Sequence, residues 1–254
     1  MTAFDRCDAL AVVVGATGDF GGAIVARLLD AGLGVVAVAR REDALRDLAA
    51  RHPGVRACVA DIAGDTAIDA IAAMATKPVR MVVHGPGVAV AGGILTAPPG
   101  ALADAVNIKV GGMLRLVRAV DAQLQPGSRL VGIAGHYGLE PTAYAAAAGV
   151  ANAALVNAMR QLSLAYGARG VTAHTIAPGP ADTARLHRVA ADRATLRGTT
   201  VDAVLDEMRA ESSLGALVTP AQVAWAVGLL LAPEADAMTG STLMLDAGRR
   251  RGLP

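Results

Sequence analysis

Seven short apolar runs recur along the chain, each separated from the next by an amphipathic or alanine-rich stretch, and this alternation limits the fold more than any other feature. The runs are ALAVVV (9–14), GVVAVA (34–39), VRACVA (55–60), RMVVH (80–84), RLVGIA (129–134), VTAHTIA (171–177) and STLMLD (241–246). They are nearly continuous in apolar residues, as strands buried on both faces must be. Helices are expected at about 20–31, 41–51, 64–75, 100–125, 142–167 and 220–232. The expected architecture is α/β: a Rossmann-like doubly wound parallel sheet of about seven strands with helices on both faces. No repeat or linker interrupts the pattern, so a single domain over 1–254 is expected. Residues 181–219 differ, being charged and without a strand pattern. An insertion there, after a sheet strand on the ligand-binding edge, is expected to form a lid over the substrate.

Composition narrows the partners. Apolar residues make up 54% of the chain but aromatics only 2%, so the core is built of Ala and Val, which let helices approach the sheet closely. A net charge of +1 favours neither nucleic acid nor an anionic membrane. No apolar run is long enough to span a bilayer and the start does not resemble a signal peptide, so a cytoplasmic protein is expected. Cys7 and Cys58 have no metal or redox spacing and are expected to be buried free thiols; no metal site is expected.

The first run continues as VVVGATGDFGGAIVARLL. Gly15, Gly18 and Gly21 are spaced G-x-x-G-x-x-G between a strand and a helix, with Thr17, Asp19 and Phe20 in the same turn. Glycines here allow a tight turn and close approach of backbone to a pyrophosphate facing the helix N-terminus, so a dinucleotide site is expected. The alternative is a plain turn capped by Asp19, whose charge would also oppose an incoming phosphate. The second strand ends VAVARRED, with Ala39 where an acidic side chain would select NAD(H). Arg40 and Arg41 follow and suit a 2′-phosphate, so NADP(H) is preferred over NAD(H), unless both simply open a solvated helix.

These motifs and those that follow resemble the short-chain dehydrogenase/reductase family over nearly the whole chain. Asp61 in VADIAGD, with Ile62 beside it, matches the family's third-strand Asp near the adenine; VVHGPGV, with Gly85, stands at the family's Asn-Asn-Ala-Gly turn. Asn107 in NIKVGG matches the family's helix Asn. Pro178 and Gly179 in IAPGPADTARL match the turn after the sixth strand, which the resemblance follows with Thr183 at the nicotinamide carboxamide. The family's catalytic set is Ser, Tyr and Lys, with Tyr-x-x-x-Lys on one helix face. Here Tyr144 and Asn107 remain, the Lys position falls on Ala148, and the Ser position falls on Gly135 or Ala134. Gly18 and Asp19 give the spacing of the extended and atypical branches, and His84 and Pro86 alter the usual turn.

In the family the lysine lowers the tyrosine's pKa and binds the nicotinamide ribose. Without it, about one tyrosine in a thousand is ionised at neutral pH. Alcohol oxidation suffers from this more than carbonyl reduction, where a neutral tyrosine is the proton donor. His136 is a candidate to polarise a carbonyl, the alternative being a solvated loop histidine. Glu140 is a candidate base or a solvated acid, and His84 faces the nicotinamide or caps a strand end. Lys109 projects about 200° from Asn107 on a helix and reads as a surface lysine. The catalytic candidates are therefore Tyr144, Asn107 and His136. Three readings stay open: an NADP(H)-dependent reductase of an activated carbonyl or imine; a non-redox cyclase, dehydratase or isomerase; or a non-catalytic dinucleotide-binding partner. The substrate is expected to be a small molecule. The small residues of helix 142–167 suggest a homodimer or homotetramer packed through it.

Overall fold

The computed structural model describes residues 3–89 and 92–252. Seven strands form one sheet: β1 (Leu10–Val14), β2 (Gly34–Ala39), β3 (Val55–Val59), β4 (Val79–His84), β5 (Leu124–Ile133), β6 (Thr172–Pro178) and β7 (Thr242–Leu245). Their order is β3-β2-β1-β4-β5-β6-β7 and every pairing is parallel. The helices are α1 (Ala3–Arg6), α2 (Asp19–Asp30), α3 (Glu42–Arg51), α4 (Thr66–Met74), α5 (Pro99–Val106), α6 (Gly112–Val120), α7 (Ala146–Tyr166), α8 (Ala184–Arg197), α9 (Val201–Ala210) and α10 (Pro220–Leu229).

Both faces of the sheet are dry, which explains the continuous apolar runs. Val12, Val14, Val36, Val38 and Leu130 face Met113 and Leu116 of α6 and Leu155 and Met159 of α7. The intervening Ala11, Val13, Val35, Ala37 and Val131 face Ile24 and Leu28 of α2, Leu45 of α3 and Val223 of α10. Strand direction reverses its spread between β1 and β4, and in such sheets ligands bind beyond the carboxyl ends at this switch point.

Three departures from the sequence expectation matter for the site. The helix expected over 100–125 is broken: a π-turn at Asn107–Gly111 separates α5 from α6, and β5 already begins at Leu124. The helix expected from 142 begins at Ala146, because the Ile94 and Ala146 amides bond the Ala143 and Gly92 carbonyls and hold the turn at 143–144 against the 92–94 loop. Residues 181–219 form α8 and α9, packed on each other through Ala190, Ala194, Val204 and Met208, with one isolated bridge, Ala181 to Val218. Of the two thiols, Cys58 is buried and Cys7 only partly so.

The glycines at the start of α2 are not interchangeable. A methyl at residue 21 would collide with the Gly15 carbonyl oxygen and lie 2.7 Å from the Ala16 Cα, whereas one at residue 22 meets nothing within 4 Å. Gly21→Ala is expected to destabilise the fold by about 1–3 kcal/mol. Gly22→Ala should gain roughly 0.5–1 kcal/mol from helix propensity. Urea denaturation of the two variants checks this; equal effects would contradict it.

Candidate active site

The site grows from the ends of β1 and β4. Gly15 leaves β1 at φ 83°, and a Cβ on it would stand 3.0 Å from the Gly85 carbonyl oxygen. The Gly85 amide donates to the Val14 carbonyl at 3.0 Å, so the two turns lie backbone to backbone. Gly18 is the N-cap residue of α2, with no side-chain cap, and Asp19 opens the first turn. The α2 N-terminus therefore leaves its amides for a ligand, and Asp19 favours the helix dipole while opposing a phosphate. Thr17, Gly18, Asp19 and Arg41 line an open cleft of about 330 Å³ that runs to Asp47 and Arg51 on α3. Arg40 and Arg41 are exposed, and Arg41 lies 3.7 Å from Asp43. Phe20 is partly buried in the α2 face of the core, where it fixes the turn from behind.

The remaining cofactor candidates are spread along the same edge. Asp61 is exposed and its Oδ1 accepts the Ala63 amide at 3.1 Å, while Ile62 is buried. Asp61 thus shapes the turn after β3. Pro178 ends β6, and a Cβ on Gly179 would come within 2.9 Å of the Asp246 Cα, so Gly179 admits the chain after β7. Thr183 caps α8: its Oγ1 accepts the Leu186 amide and donates to the Ala181 carbonyl, both at 3.2 Å. That hydroxyl is committed to the helix start.

At the carboxyl end of β5 the expected and observed roles diverge. Asn107 is locked by two partners: its Nδ2 donates to the Ala63 carbonyl at 3.0 Å, and its Oδ1 accepts from Arg115 at 3.0 Å. Arg115 is itself held by Asp65 at 2.6 Å. Asn107 therefore clamps the π-turn to the turn after β3. Lys109 is not a surface lysine: it is 4% exposed and its Nζ donates to the Ile133 carbonyl at 2.7 Å. The 200° separation from Asn107 holds, but both flanks of this helix are covered, one by the β3 turn and the other by β5 and α7. Burial, then the charge of Arg185, lowers the Lys109 pKa to about 7. His84 is fully buried and bonds the Ile108 carbonyl at 3.0 Å through Nε2, leaving Nδ1 without a partner. Burial, then the Lys109 ammonium, pushes it down to about 3, so it is neutral.

Ala148 is packed. It joins Ala147, Ala151, Ala105 and Val88 in a small apolar cluster between α5 and α7. One turn on stands Asn152, which is 6% exposed with its Oδ1 unpartnered. Its Nδ2 would lie 2.8 Å from any Cβ at Gly135. The polar group that α7 presents to the end of β5 is thus Asn152, a residue the sequence reading missed. The signal was the helix register, which places 148, 152 and 155 on one face.

Tyr144 lies two residues before α7 and is 40% exposed. Its hydroxyl meets that of Tyr137 in a short hydrogen bond, and the Arg193 guanidinium stands 4.5 Å from its ring centre. Burial pushes its phenol up, but hydrogen bonds from Tyr137, Arg193 and Arg249 outweigh burial and leave it below the ordinary value. Tyr137 bears the opposite shift, to about 12, through burial first and Tyr144 second. His136 is buried, not solvated, because the 136–138 turn lies on α7: a Cβ at Gly138 would be 2.8 Å from the Ala153 amide nitrogen. Burial, then Arg249, lowers His136 to about 4. Glu140 is tied to the C-terminal tail, accepting the Gly252 amide at 3.0 Å and lying 3.5 Å from Arg250. His136, Tyr137, Glu140, Tyr144 and Arg249 line a second cleft of about 200 Å³.

A doubly wound sheet with a glycine cradle at its switch point defines a dinucleotide-binding class of enzyme folds. A family model described as enoyl-(acyl carrier protein) reductase matches residues 15–250. The chain belongs to the short-chain dehydrogenase/reductase family. It is 28% identical to the short-chain reductase protein NovJ of Streptomyces niveus, over 95% of this chain and 94% of that protein. It is 27% identical to a putative ketoacyl reductase of Streptomyces coelicolor, over 94% and 96% of the two chains. Among solved structures it resembles a variant actinorhodin polyketide ketoreductase with NADPH, at TM-score 0.89 and 24% identity over 99% and 100% of the chains. L-sorbose reductase from Gluconobacter frateurii with NADPH and L-sorbose gives 0.88 and 21% over 97% and 98%. Its family relatives are reductases, and no helix among the described residues is long and apolar enough to cross a membrane.

The three tyrosines make the electrostatics testable, since Tyr166 is also pushed to about 12, by burial and by Asp121. Alkaline titration of tyrosinate absorbance should show one group ionising below pH 10 and two near pH 12. Tyr144→Phe should remove the early step. Three tyrosines titrating together would contradict the Tyr137–Tyr144 arrangement.

Proposed function

We propose that this chain is an NADP(H)-dependent reductase of an activated carbonyl or imine in small-molecule biosynthesis, with Tyr144 as the proton donor. The observation that carries the reading is the backbone cradle at Gly15, Gly21 and Gly85, which side chains would fill. Its fit to a dinucleotide is supported by the open cleft beyond it, where Arg41, with Arg40 beside it, is available to a 2′-phosphate. A second support is the orphaned Asn152 Oδ1, a buried acceptor suited to a ribose hydroxyl. NADPH, when bound, supplies a hydride. The residues of this chain then have three tasks. Gly15, Gly18 and Gly21 leave room for the pyrophosphate to approach the first turn of α2, the Gly15 and Gly18 amides themselves being bonded to the Val38 and Gly15 carbonyls. Asn152, one turn beyond the Ala148 at which the resemblance places the family's lysine, offers its buried carboxamide to the ribose beside Gly135. Tyr144, made more acidic by Tyr137, Arg193 and Arg249, releases its proton to the substrate oxygen or nitrogen more readily than an isolated phenol.

We assign 181–219 as the lid of this site, since α8 carries Arg185 and Arg193 toward it. The expected homodimer would use the outer face of α7, where Val150, Asn157, Gln161 and Leu164 are exposed. A non-redox enzyme on the same scaffold is the second reading. It is favoured by the absence of any ionisable side chain on α7 before Arg160.

The test is NADPH consumption with a panel of ketones, conjugated ketones and imines. Tyr144→Phe should lower kcat/KM by about 10²–10⁴-fold. Unchanged turnover in that variant contradicts the role of Tyr144, and product of unchanged oxidation level, formed without NADPH consumption, establishes the second reading.

A further inference from the structure

Of the chain's 23 basic residues only two are lysines, and one of them, Lys109, is buried at the ligand end of the sheet. Its ammonium has three N–H groups, and the Ile133 carbonyl is its hydrogen-bond partner among the described residues. It takes part in no ion pair among them. Arg185 on α8 reaches down to the loop after β4, where one of its terminal nitrogens donates to the Val88 carbonyl and the other lies within 2.7 Å of a Cβ position on Gly87. Arg185 has no carboxylate partner among the described residues either, although other surface arginines do, for example Arg169 with Asp121 and Arg197 with Glu207.

Among the described residues no carboxylate pairs with Lys109. His84 of β4, which interacts with it, is neutral, and Arg185 of α8 is a like charge. Lys109 and Arg185 thus bring two cations to the carboxyl ends of β4 and β5, one buried and one reachable from solvent, with no carboxylate paired to either among the described residues. A buried ammonium without a counter-charge is costly, and the cost is removed when a carboxylate arrives. Guanidinium adds a planar pair of donors suited to that group.

We propose that Lys109 and Arg185 together form an anion-recognition subsite, and that the substrate of this enzyme carries a carboxylate one methylene away from its reacting carbonyl or imine. The proposal rests on the reading of this edge as the substrate end of a reductase, but its binding step requires no hydride transfer. Lys109, fixed by the Ile133 carbonyl, contacts the carboxylate from the sheet side. Arg185 contacts it from the lid side and so couples binding to the position of α8. A keto acid is thereby preferred over its neutral amide or ester.

The presence of only two lysines makes the test direct. Protein labelled with ¹³C at lysine Cε gives two signals, of which Lys77, whose amine bonds the Asp5 and Cys7 carbonyls at 2.7 and 2.6 Å far from the site, is the internal control. Acetoacetate and its uncharged amide, acetoacetamide, are titrated in parallel, with and without NADPH. Acetoacetate should shift the Lys109 signal saturably and raise the pH at which it titrates, while leaving Lys77 unmoved. Acetoacetamide should bind roughly tenfold or more weakly. Arg185→Gln should abolish most of that preference, and Arg185→Lys should restore part of it. Equal responses to acid and amide, equal responses at the two lysines, or no response at Lys109 would each overturn the proposal. A response without NADPH in a protein that fails to bind the cofactor would sustain the subsite and reject the reductase reading, so the two failures are separable.

Discussion

Everything at the ligand edge depends on one contact that has no room for a side chain. Gly21, on the first turn of α2, lies directly on the Gly15 carbonyl, and Gly15 in turn lies on the Gly85 backbone. This close packing brings the helix N-terminus against the switch point between β1 and β4, where its free amides converge on one small volume. Strand burial on both faces makes the platform rigid. Val and Ala in place of aromatics let α6 and α7 pack on one face of the sheet and α2 on the other. That geometry is what the proposed phosphate site rests on.

The other half of the edge is organised by charge. A short hydrogen bond ties Tyr144 to Tyr137, with arginines from α8 and the C-terminal tail beside them, and the tail is in turn tied to Glu140. Behind them, Lys109 is held by a strand-end carbonyl. The phenol and the ammonium titrate toward neutrality for different reasons. Donors stabilise the tyrosinate, whereas burial penalises the ammonium. In the family that this chain belongs to, the resemblance implies a lysine one turn after the tyrosine on a common helix. Here the cation reaches the end of β5 from the helix after β4, and α7 offers a neutral carboxamide, Asn152.

The strands were legible because a doubly covered sheet leaves few polar residues in them; all seven runs fall on observed strands. The glycine turn was legible for the same local reason. The start of α7 was not: AYAAAAG has no capping side chain, and the end at Ala146 is set by tertiary hydrogen bonds to the 92–94 loop. Lys109 was misread because periodicity reports direction and not what lies in that direction. The angle from Asn107 was right, and a second covering element made the far side an interior. The alternative of a solvated His136 fails likewise, since its turn lies on α7, with Gly138 against the Asn152–Ala153 backbone. Asn152 stands in the same register one turn after Ala148, but a lone Asn in an alanine-rich helix carries no sequence signal of burial.

The central claim is that the glycine cradle holds a phosphorylated dinucleotide. Calorimetric titration of the folded protein with NADPH and with NADH tests it most directly. The account predicts one NADPH bound per chain, with NADH about tenfold or more weaker because it lacks the phosphate that Arg40 and Arg41 would meet. Binding of neither nucleotide, in protein whose folding is verified by circular dichroism, would contradict it.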